Sequence, residues 1–230
     1  ARGSGVRLHT HLAETTDEAV FCREHFAMTP VEYMESVGWV GDDVWFAHGI
    51  HFDDAGIATL ASSGSGVAHC PSSNARLGAG IARTRALRDA GVPVGLGVDG
   101  PASNESSSMI EEARHAMLFA RAVGGPTALG VRDALEMATI GGAKVLGWDD
   151  QIGSLEPGKL ADIALWRVDG LAHGDIVDRV AGLVLGDRPP LELLLVGGRP
   201  VVERDRLATV DEERLGIDLQ RASTTLLARS

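Results

Sequence analysis

Residues 6–14, Val-Arg-Leu-His-Thr-His-Leu-Ala-Glu, begin with a short apolar pattern and end in ionisable side chains. The first seven residues predict a strand over positions 6–12. Thr15 and Glu18, three residues apart, have the spacing of a capping box and predict a helix that runs to about residue 26. The segment therefore predicts a strand followed at once by a helix.

The same succession of strand and helix recurs three more times. Apolar runs predict strands over residues 44–48, 66–70 and 93–99, and amphipathic patterns predict helices over residues 53–62, 83–90 and 105–121. Parallel neighbouring strands need a helix to carry the chain back, so the pattern predicts an α/β fold with a parallel sheet. Four such units fill about half of the roughly 250 residues of an eight-stranded barrel, and they could also build an open doubly wound sheet.

Polar side chains at the strand ends favour the barrel. Each predicted strand carries one at or near its carboxyl end: His11, His48, His69 and Asp99. A TIM-type barrel collects its active-site residues from the carboxyl ends of many strands. We therefore expect the carboxyl-terminal half of a (β/α)8 barrel.

The later part of the chain has a different pattern. A helical segment over residues 131–146 precedes a Pro-Gly turn, a β-rich run, a hairpin over residues 191–202 and a final stretch with leucines at helical spacing. The pattern predicts three divisions: the second half of a barrel in residues 1–150, part of a small β-sandwich domain in 151–206, and a closing helix in 207–230.

Several of these side chains suit hydrolytic chemistry. Glu14, three residues beyond His11, is placed to move protons beside a water held by a metal. Asp99 can bind a metal and accept a proton, although an aspartate at this position can also cap a helix. Ser73 and Asn74 follow a strand that Pro71 ends, and they either contact a substrate or stabilise the turn.

Other motifs receive no chemical role. Residues 95–100 match G-x-G-x-x-G, but these glycines lie inside a predicted strand and the next helix begins only near residue 105, which excludes a dinucleotide site. Cys22 and Cys70 are too few for a disulfide framework. Three further histidines have no chemical neighbours in sequence and are expected to be surface or packing residues: His25, His115 and His173.

Composition limits the partners. Among 230 residues, 21 Lys and Arg face 32 Asp and Glu, for a net charge of −11. Such an excess of negative charge disfavours nucleic acid and anionic membranes as partners. No apolar run reaches the roughly 20 residues of a membrane span, and the first residues lack a secretion signal. We therefore expect a cytoplasmic protein.

The motifs together resemble those of the amidohydrolase superfamily, in the branch of cytosine, guanine and S-adenosylhomocysteine deaminases and chlorotriazine hydrolases. The resemblance covers nearly the whole chain and is strongest to 8-oxoguanine deaminases. Its marks are His11-Leu-Ala-Glu14-Thr, Ala47-His48-Gly, His69-Cys-Pro-Ser-Ser-Asn74, Gly97-Val-Asp99-Gly, and the segment from Gly153 to Asp162.

The resemblance implies one divalent metal held by His11 and Asp99. Zinc is the first expectation, and iron suits the same ligands. Glu14 would be the proton shuttle, Asp99 would activate the water, and His48 would polarise the substrate. The implied reaction is hydrolytic deamination of an aminopurine, and 8-oxoguanine is the first candidate substrate. The alternatives are deamination of S-adenosylhomocysteine or cytosine, dechlorination of a triazine, and a non-catalytic binding or assembly domain.

The family takes two further metal ligands from a His-x-His motif on its first strand. His9-Thr-His11 has the same letters, but its continuation matches the fifth strand instead. The resemblance therefore implies that an upstream half of the barrel is required to complete the site. We also expect a small heterocyclic substrate and a homo-oligomer.

Overall fold

Four parallel strands, paired in the order of the sequence, form the first sheet. In the computed structural model, which describes residues 1–228, they are β1 (Leu8–Leu12), β2 (Val44–His48), β3 (Gly66–His69) and β4 (Val94–Leu96). Leu12 pairs with His48, and His69 pairs with Leu96, so the carboxyl ends of the strands lie at one edge. The predicted α/β class with a parallel sheet is confirmed.

Helices connect these strands and follow them. They are α1 (Thr16–Phe26), α2 (Pro30–Ser36), α3 (Asp54–Ser63), α4 (Pro71–Arg76), α5 (Thr84–Asp89), α6 (Met109–Gly124), α7 (Val131–Glu136) and α8 (Gly142–Leu146), with a π-helical turn at Met137–Gly141 between α7 and α8 and a 3-10 turn at Arg2–Ser4. Phe46, Leu60, Leu87 and Met117 are fully buried between the sheet and the helices. The strands and helices through Ser154 form one compact unit.

The predicted capping box at Thr15 is wrong. Thr15 is the N-cap of α1, but its side chain accepts no hydrogen bond, and the carboxylate of Glu18 accepts one from the N–H of Glu14 at 3.1 Å. Ala13, with φ of 53°, turns the chain just before this contact. The capping box forms instead at α2, where Thr29 and Glu32 bond each other's backbone N–H groups.

The segments around the third and fourth strands also differ from expectation. Residues 71–76, predicted as a loop, form α4, because Pro71 occupies the first helical position, where its missing N–H is not needed. β4 ends at Leu96, three residues before Asp99. α6 begins at Met109, later than predicted, because the Ser106 hydroxyl bonds the side chain of Asn104 in a turn.

Gly95 of β4 shows what the glycine motif does in this fold. A Cβ built on Gly95 would lie 2.6 Å from the Cα of Gly142 in α8. The strand and the helix therefore approach with backbone against backbone, which only glycine permits.

The second compact unit begins at Leu155 and contains an antiparallel sheet. Its elements are a 3-10 turn at Leu171–His173, β5 (Ile163–Trp166), α9 (Arg179–Leu185), β6 (Leu191–Val196), β7 (Arg199–Glu203), β8 (Arg206–Leu207) and α10 (Glu212–Leu227). The hairpin between β6 and β7 turns at Gly197 and Gly198, which both have positive φ, as a two-residue turn requires. Within residues 1–228, no helix is long and apolar enough to cross a membrane.

Candidate active site

Three residues at the strand ends have left-handed backbone conformations without being glycine. Ala13 follows β1 with φ of 53°, His48 ends β2 with φ of 70°, and Asp99 follows β4 with φ of 61°. Such conformations are uncommon outside glycine and cluster at functional sites. The carbonyl of Ala13 accepts hydrogen bonds from the N–H groups of Ile50 and His51, which fixes the ends of β1 and β2 to each other.

Side chains from these strand ends converge on one point. His11, His48 and Asp99 each offer a ligand atom, and the three atoms lie within 4.8 Å of one another. The rings of His11 and His48 are stacked with centroids 5.0 Å apart. Two imidazoles and a carboxylate are ligands that both Zn²⁺ and Fe²⁺ bind, and three protein ligands are typical of a catalytic metal site. These three residues, called the donor set below, therefore fit a divalent metal.

Asp99 is held by hydroxyl groups from two directions. Its Oδ2 accepts hydrogen bonds from Ser73 Oγ at 2.6 Å and from Ser103 Oγ at 3.0 Å. Burial by itself raises the pKa of this carboxyl group, but the bonds from Ser73, the Gly100 backbone and Ser103, together with the nearby His48, hold the pKa below its usual value. Asp99 is therefore ionised at neutral pH.

His48 lies between two polar partners. Its Nδ1 is 2.8 Å from Oδ1 of Asn74, and its Nε2 is 3.7 Å from Oε2 of Glu14. With an amide oxygen as the acceptor, Nδ1 carries the proton and Nε2 is directed toward Glu14. Glu14 is half-buried, whereas His48 is buried. The carboxylate of Glu14 thus stands beside the donor set at the mouth of the site.

His69 ends β3 and Cys70 follows it, and both side chains are buried. Burial, and after it the proximity of His48, lowers the pKa of His69 to about 3. The Nδ1 atom of His69 is buried without a hydrogen-bond partner. Burial also raises the pKa of the Cys70 thiol to about 12. At neutral pH, His69 is uncharged and Cys70 is not a thiolate.

The structure brings together most of the residues that the sequence predicts for the site. His11, His48 and Asp99 form the donor set, and Glu14 adjoins it. Ser73 and Asn74, predicted as substrate contacts, are buried, and their observed contacts are with Asp99 and His48. Their direct contact with a substrate stays a prediction.

Sequence reasoning missed a second group of polar residues next to this site, namely Ser103, Asn104, Glu112 and His115. His115, expected to lack chemical neighbours, has its Nδ1 2.7 Å from Oγ of Ser72. The spacing of Glu112 could have indicated its burial. It lies four residues before Ala116 and eight before Ala120, on the buried face of α6. A carboxylate on an apolar helix face needs a polar partner.

Comparisons with known proteins agree on one family. Residues 1–185 match the model of the amidohydrolase family. The chain is 48% identical over 193 residues to 8-oxoguanine deaminase of Pseudomonas aeruginosa, covering 84% of this chain and 43% of that protein. It is 42% identical over 224 residues to 5-methylthioadenosine/S-adenosylhomocysteine deaminase of Desulforudis audaxviator, covering 96% and 52%. The chain spans about half the length of the curated relatives that it matches.

Solved structures show the same relationship. A crystal structure of an adenosine deaminase from Xanthomonas campestris with bound zinc superposes with a TM-score of 0.95 at 29% identity, covering 99% of this chain and 52% of that one. Atrazine chlorohydrolase from Arthrobacter aurescens, complexed with zinc, superposes with a TM-score of 0.89 at 36% identity, covering 96% and 49%. The chain therefore belongs to the amidohydrolase family of hydrolytic, typically metal-binding enzymes, and its first unit has the fold of the carboxyl-terminal part of their TIM barrel.

Proposed function

We propose that the protein removes an amino group hydrolytically from a purine base, with 8-oxoguanine as the first candidate substrate. The observation that carries this proposal is the position of Glu14, whose Oε2 lies 3.7 Å from Nε2 of His48 beside the donor set. Deamination needs both an activated water and a proton donor, and these residues can serve both needs. The 48% identity to an 8-oxoguanine deaminase supports the substrate.

His11 and Asp99 would hold the metal, with His48 beside them. When bound, a divalent ion at such a site lowers the pKa of a water toward about 7 and so supplies a nucleophile at neutral pH. Zinc is our first choice, because two solved relatives are described with zinc. Iron is the alternative, since imidazole and carboxylate ligands suit both ions.

Proton transfers would fall to the two carboxylates. Asp99, ionised because hydroxyl and backbone donors lower its pKa, would take a proton from the attacking water. Glu14 would enter as the carboxylic acid and donate its proton to the ring nitrogen beside the attacked carbon. The proton taken by Asp99 would pass to the departing amine with the help of Glu14, and the proton lost as the carbonyl forms would restore Glu14. One water is consumed and one ammonia leaves, while the ring carbon becomes a carbonyl.

His48 would polarise the substrate at the reacting carbon. Asn74 holds its Nδ1, so that Nε2 remains directed at the site. A polar group that is already oriented toward the reacting centre has most effect where charge develops in the transition state. Ser73, already bonded to Asp99, would lie next to the polar edge of a bound heterocycle.

We further propose that an upstream half of the barrel completes the active site. β1 is an edge strand of its sheet, and the relatives are about twice as long as this chain. An edge strand leaves a row of backbone N–H and C=O groups available for pairing. Pairing there with a further strand would also bring additional ligands toward His11.

Ammonia release from the full-length protein, compared across substrates, tests the proposed reaction. The panel is 8-oxoguanine, guanine, isoguanine, cytosine and S-adenosylhomocysteine, with chloride release from atrazine as the rival reaction. We expect 8-oxoguanine to have the highest kcat/KM, because a site that hydrogen-bonds a substrate group rejects analogues lacking it by orders of magnitude. Faster deamination of cytosine would overturn the purine assignment, faster deamination of S-adenosylhomocysteine, a purine nucleoside derivative, would overturn the assignment to a free purine base, and chloride release alone would overturn deamination.

A further inference from the structure

Glu112 is the one buried carboxylate in the part of the chain that the structure describes. It lies in the first turns of α6 with 0% of its surface exposed. Both of its oxygens accept hydrogen bonds, Oε2 from the backbone N–H of Ser72 at 3.1 Å and Oε1 from Nδ2 of Asn104 at 2.7 Å. A carboxylate taken out of water is costly unless donors of this kind replace its hydration.

The first contact ties α6 to the start of α4. Ser72 immediately precedes Ser73, whose hydroxyl donates to Oδ2 of Asp99 at 2.6 Å. His115, one turn after Glu112 on the same helix, adds a second contact through its Nδ1, which lies 2.7 Å from Oγ of Ser72. The backbone that carries Ser73 is therefore held by two side chains of α6.

The second contact ties α6 to the segment that carries Asp99. The Nδ2 group of Asn104 donates to Glu112 and also to the carbonyl of Val98, at 2.8 Å. Val98 immediately precedes Asp99, whose backbone has φ of 61°. A left-handed conformation at a non-glycine residue persists only where surrounding contacts enforce it, and the bond to Val98 is such a contact.

We propose that Glu112 is a positioning residue that sets the location of Asp99. This inference rests on the proposed function, in which Asp99 binds the metal and takes a proton from water. One oxygen of Glu112 holds the backbone next to Ser73, whose hydroxyl donates to Asp99. The other oxygen holds Asn104, which bonds the backbone carbonyl immediately before Asp99. The hydrogen bonds described for Glu112 join it to Ser72 and Asn104 and not to the donor set, so it acts through these two residues.

The full-length variant Glu112→Gln, loaded with Co²⁺, tests this proposal. A glutamine keeps the size of the side chain, but its NH₂ group must face either the Ser72 N–H or the Asn104 NH₂, so one of the two contacts is lost. The matched control is Glu111→Gln, which makes the same change one position earlier, off the buried face of α6. Circular dichroism establishes that each variant is folded.

We expect Glu112→Gln to weaken Co²⁺ binding by about 10- to 100-fold, the range for residues that orient metal ligands. Its Co²⁺ absorption spectrum should shift, and kcat should fall while KM changes little. Glu111→Gln should match the parent in all three measurements. A folded Glu112→Gln with the parent's Co²⁺ affinity and spectrum would overturn the proposal.

If Glu112→Gln does not fold, Asn104→Ala decides the question, because it removes the contacts to Glu112 and Val98 together with the bond that the Ser106 hydroxyl donates. A changed Co²⁺ spectrum in that variant supports the positioning role, and an unchanged spectrum overturns it. The Co²⁺ measurements need no substrate. A parent protein inactive on every substrate would therefore refute the proposed function and leave the test of Glu112 intact.

Discussion

His48 and Asn74 form a hydrogen bond that is fully enclosed by protein. Nδ1 of His48 lies 2.8 Å from Oδ1 of Asn74, and each side chain is 1% exposed. This bond fixes the orientation of the imidazole and leaves Nε2 facing Glu14. Residues that orient a ligand through its second ring nitrogen influence a metal site without touching the metal.

Asn74→Ala should therefore lower kcat more than it raises KM. Loss of the hydrogen bond frees the His48 ring, and the expected cost is about 10- to 100-fold in activity. Asn74→Asp keeps an oxygen that can accept from Nδ1 and should retain more activity than Asn74→Ala. Steady-state kinetics of both variants on 8-oxoguanine provide the check. A large rise in KM at constant kcat would instead identify Asn74 as a substrate contact.

His11→Ala and Asp99→Ala should both reduce the metal content of the full-length protein. Each change removes one of three donors that lie within 4.8 Å of one another. His51→Ala is the matched control, because His51 is exposed and bonds the carbonyl of Ala79. Elemental analysis after dialysis measures the bound metal. Full metal content in both variants would contradict the proposed ligand set.

The sequence predicts the parts of this site that follow from strand periodicity. His11, His48 and Asp99 come at the ends of the first, second and fourth predicted strands, and parallel strands bring such ends to one edge. The sequence alone does not show that Asp99 lies three residues beyond β4, because the short strand depends on tertiary packing. Proline after a strand is compatible with a loop or a helix start, so α4 was missed as well.

The network around Glu112 was harder to foresee. Its contacts join residues far apart in sequence, such as Ser72 and Glu112, and no local pattern specifies such a pairing. Only the position of a carboxylate on the buried face of α6 gave a local signal. Polar groups that serve a site through tertiary contacts are therefore less predictable than the strand-end residues themselves.

Gly95→Ala should destabilise the first unit. The added methyl group would lie 2.6 Å from Cα and 3.0 Å from N of Gly142, and these backbone atoms cannot rotate away. Overpacking of this kind typically costs about 1–3 kcal/mol. Gly3→Ala is the control, since no heavy atom lies within 4 Å of its Cβ position. Urea unfolding gives the difference, and equal midpoints for the two variants would contradict the close approach.

Stability should fall as the pH is lowered below about 6.5, in part because of His69. Burial lowers its folded-state pKa to about 3, whereas an unfolded histidine has a pKa near 6.5. Between these values the unfolded chain binds a proton that the folded chain does not, which favours unfolding by up to about 1.4 kcal/mol per pH unit. The contribution of neutral His69 is fully present above pH 6.5.

Substitution of His69 isolates this contribution. His69→Gln cannot titrate, so its free energy of unfolding should depend less steeply on pH between 6 and 4 than that of the parent. His25→Gln, at an exposed position of α1, is the control and should keep the parent's slope. Urea unfolding of the metal-free protein at several pH values measures the slopes. Identical slopes for His69→Gln and the parent would exclude His69 as a source of acid sensitivity.

Glu14→Gln should abolish most turnover and leave the metal in place. Oε2 of Glu14 lies 3.7 Å from Nε2 of His48, but Glu14 does not belong to the donor set. Its proposed role is therefore proton transfer alone. A glutamine of the same size cannot donate a proton to the ring nitrogen, and general acid-base groups contribute about 10² to 10⁴ in rate. Glu18→Gln is the matched control. The hydrogen bond described for the Glu18 carboxylate is the one that it accepts from the backbone N–H of Glu14. Activity and metal content are measured on the same preparations. If Glu14→Gln kept the parent's rate, or lost its metal, the proton-transfer role would be wrong.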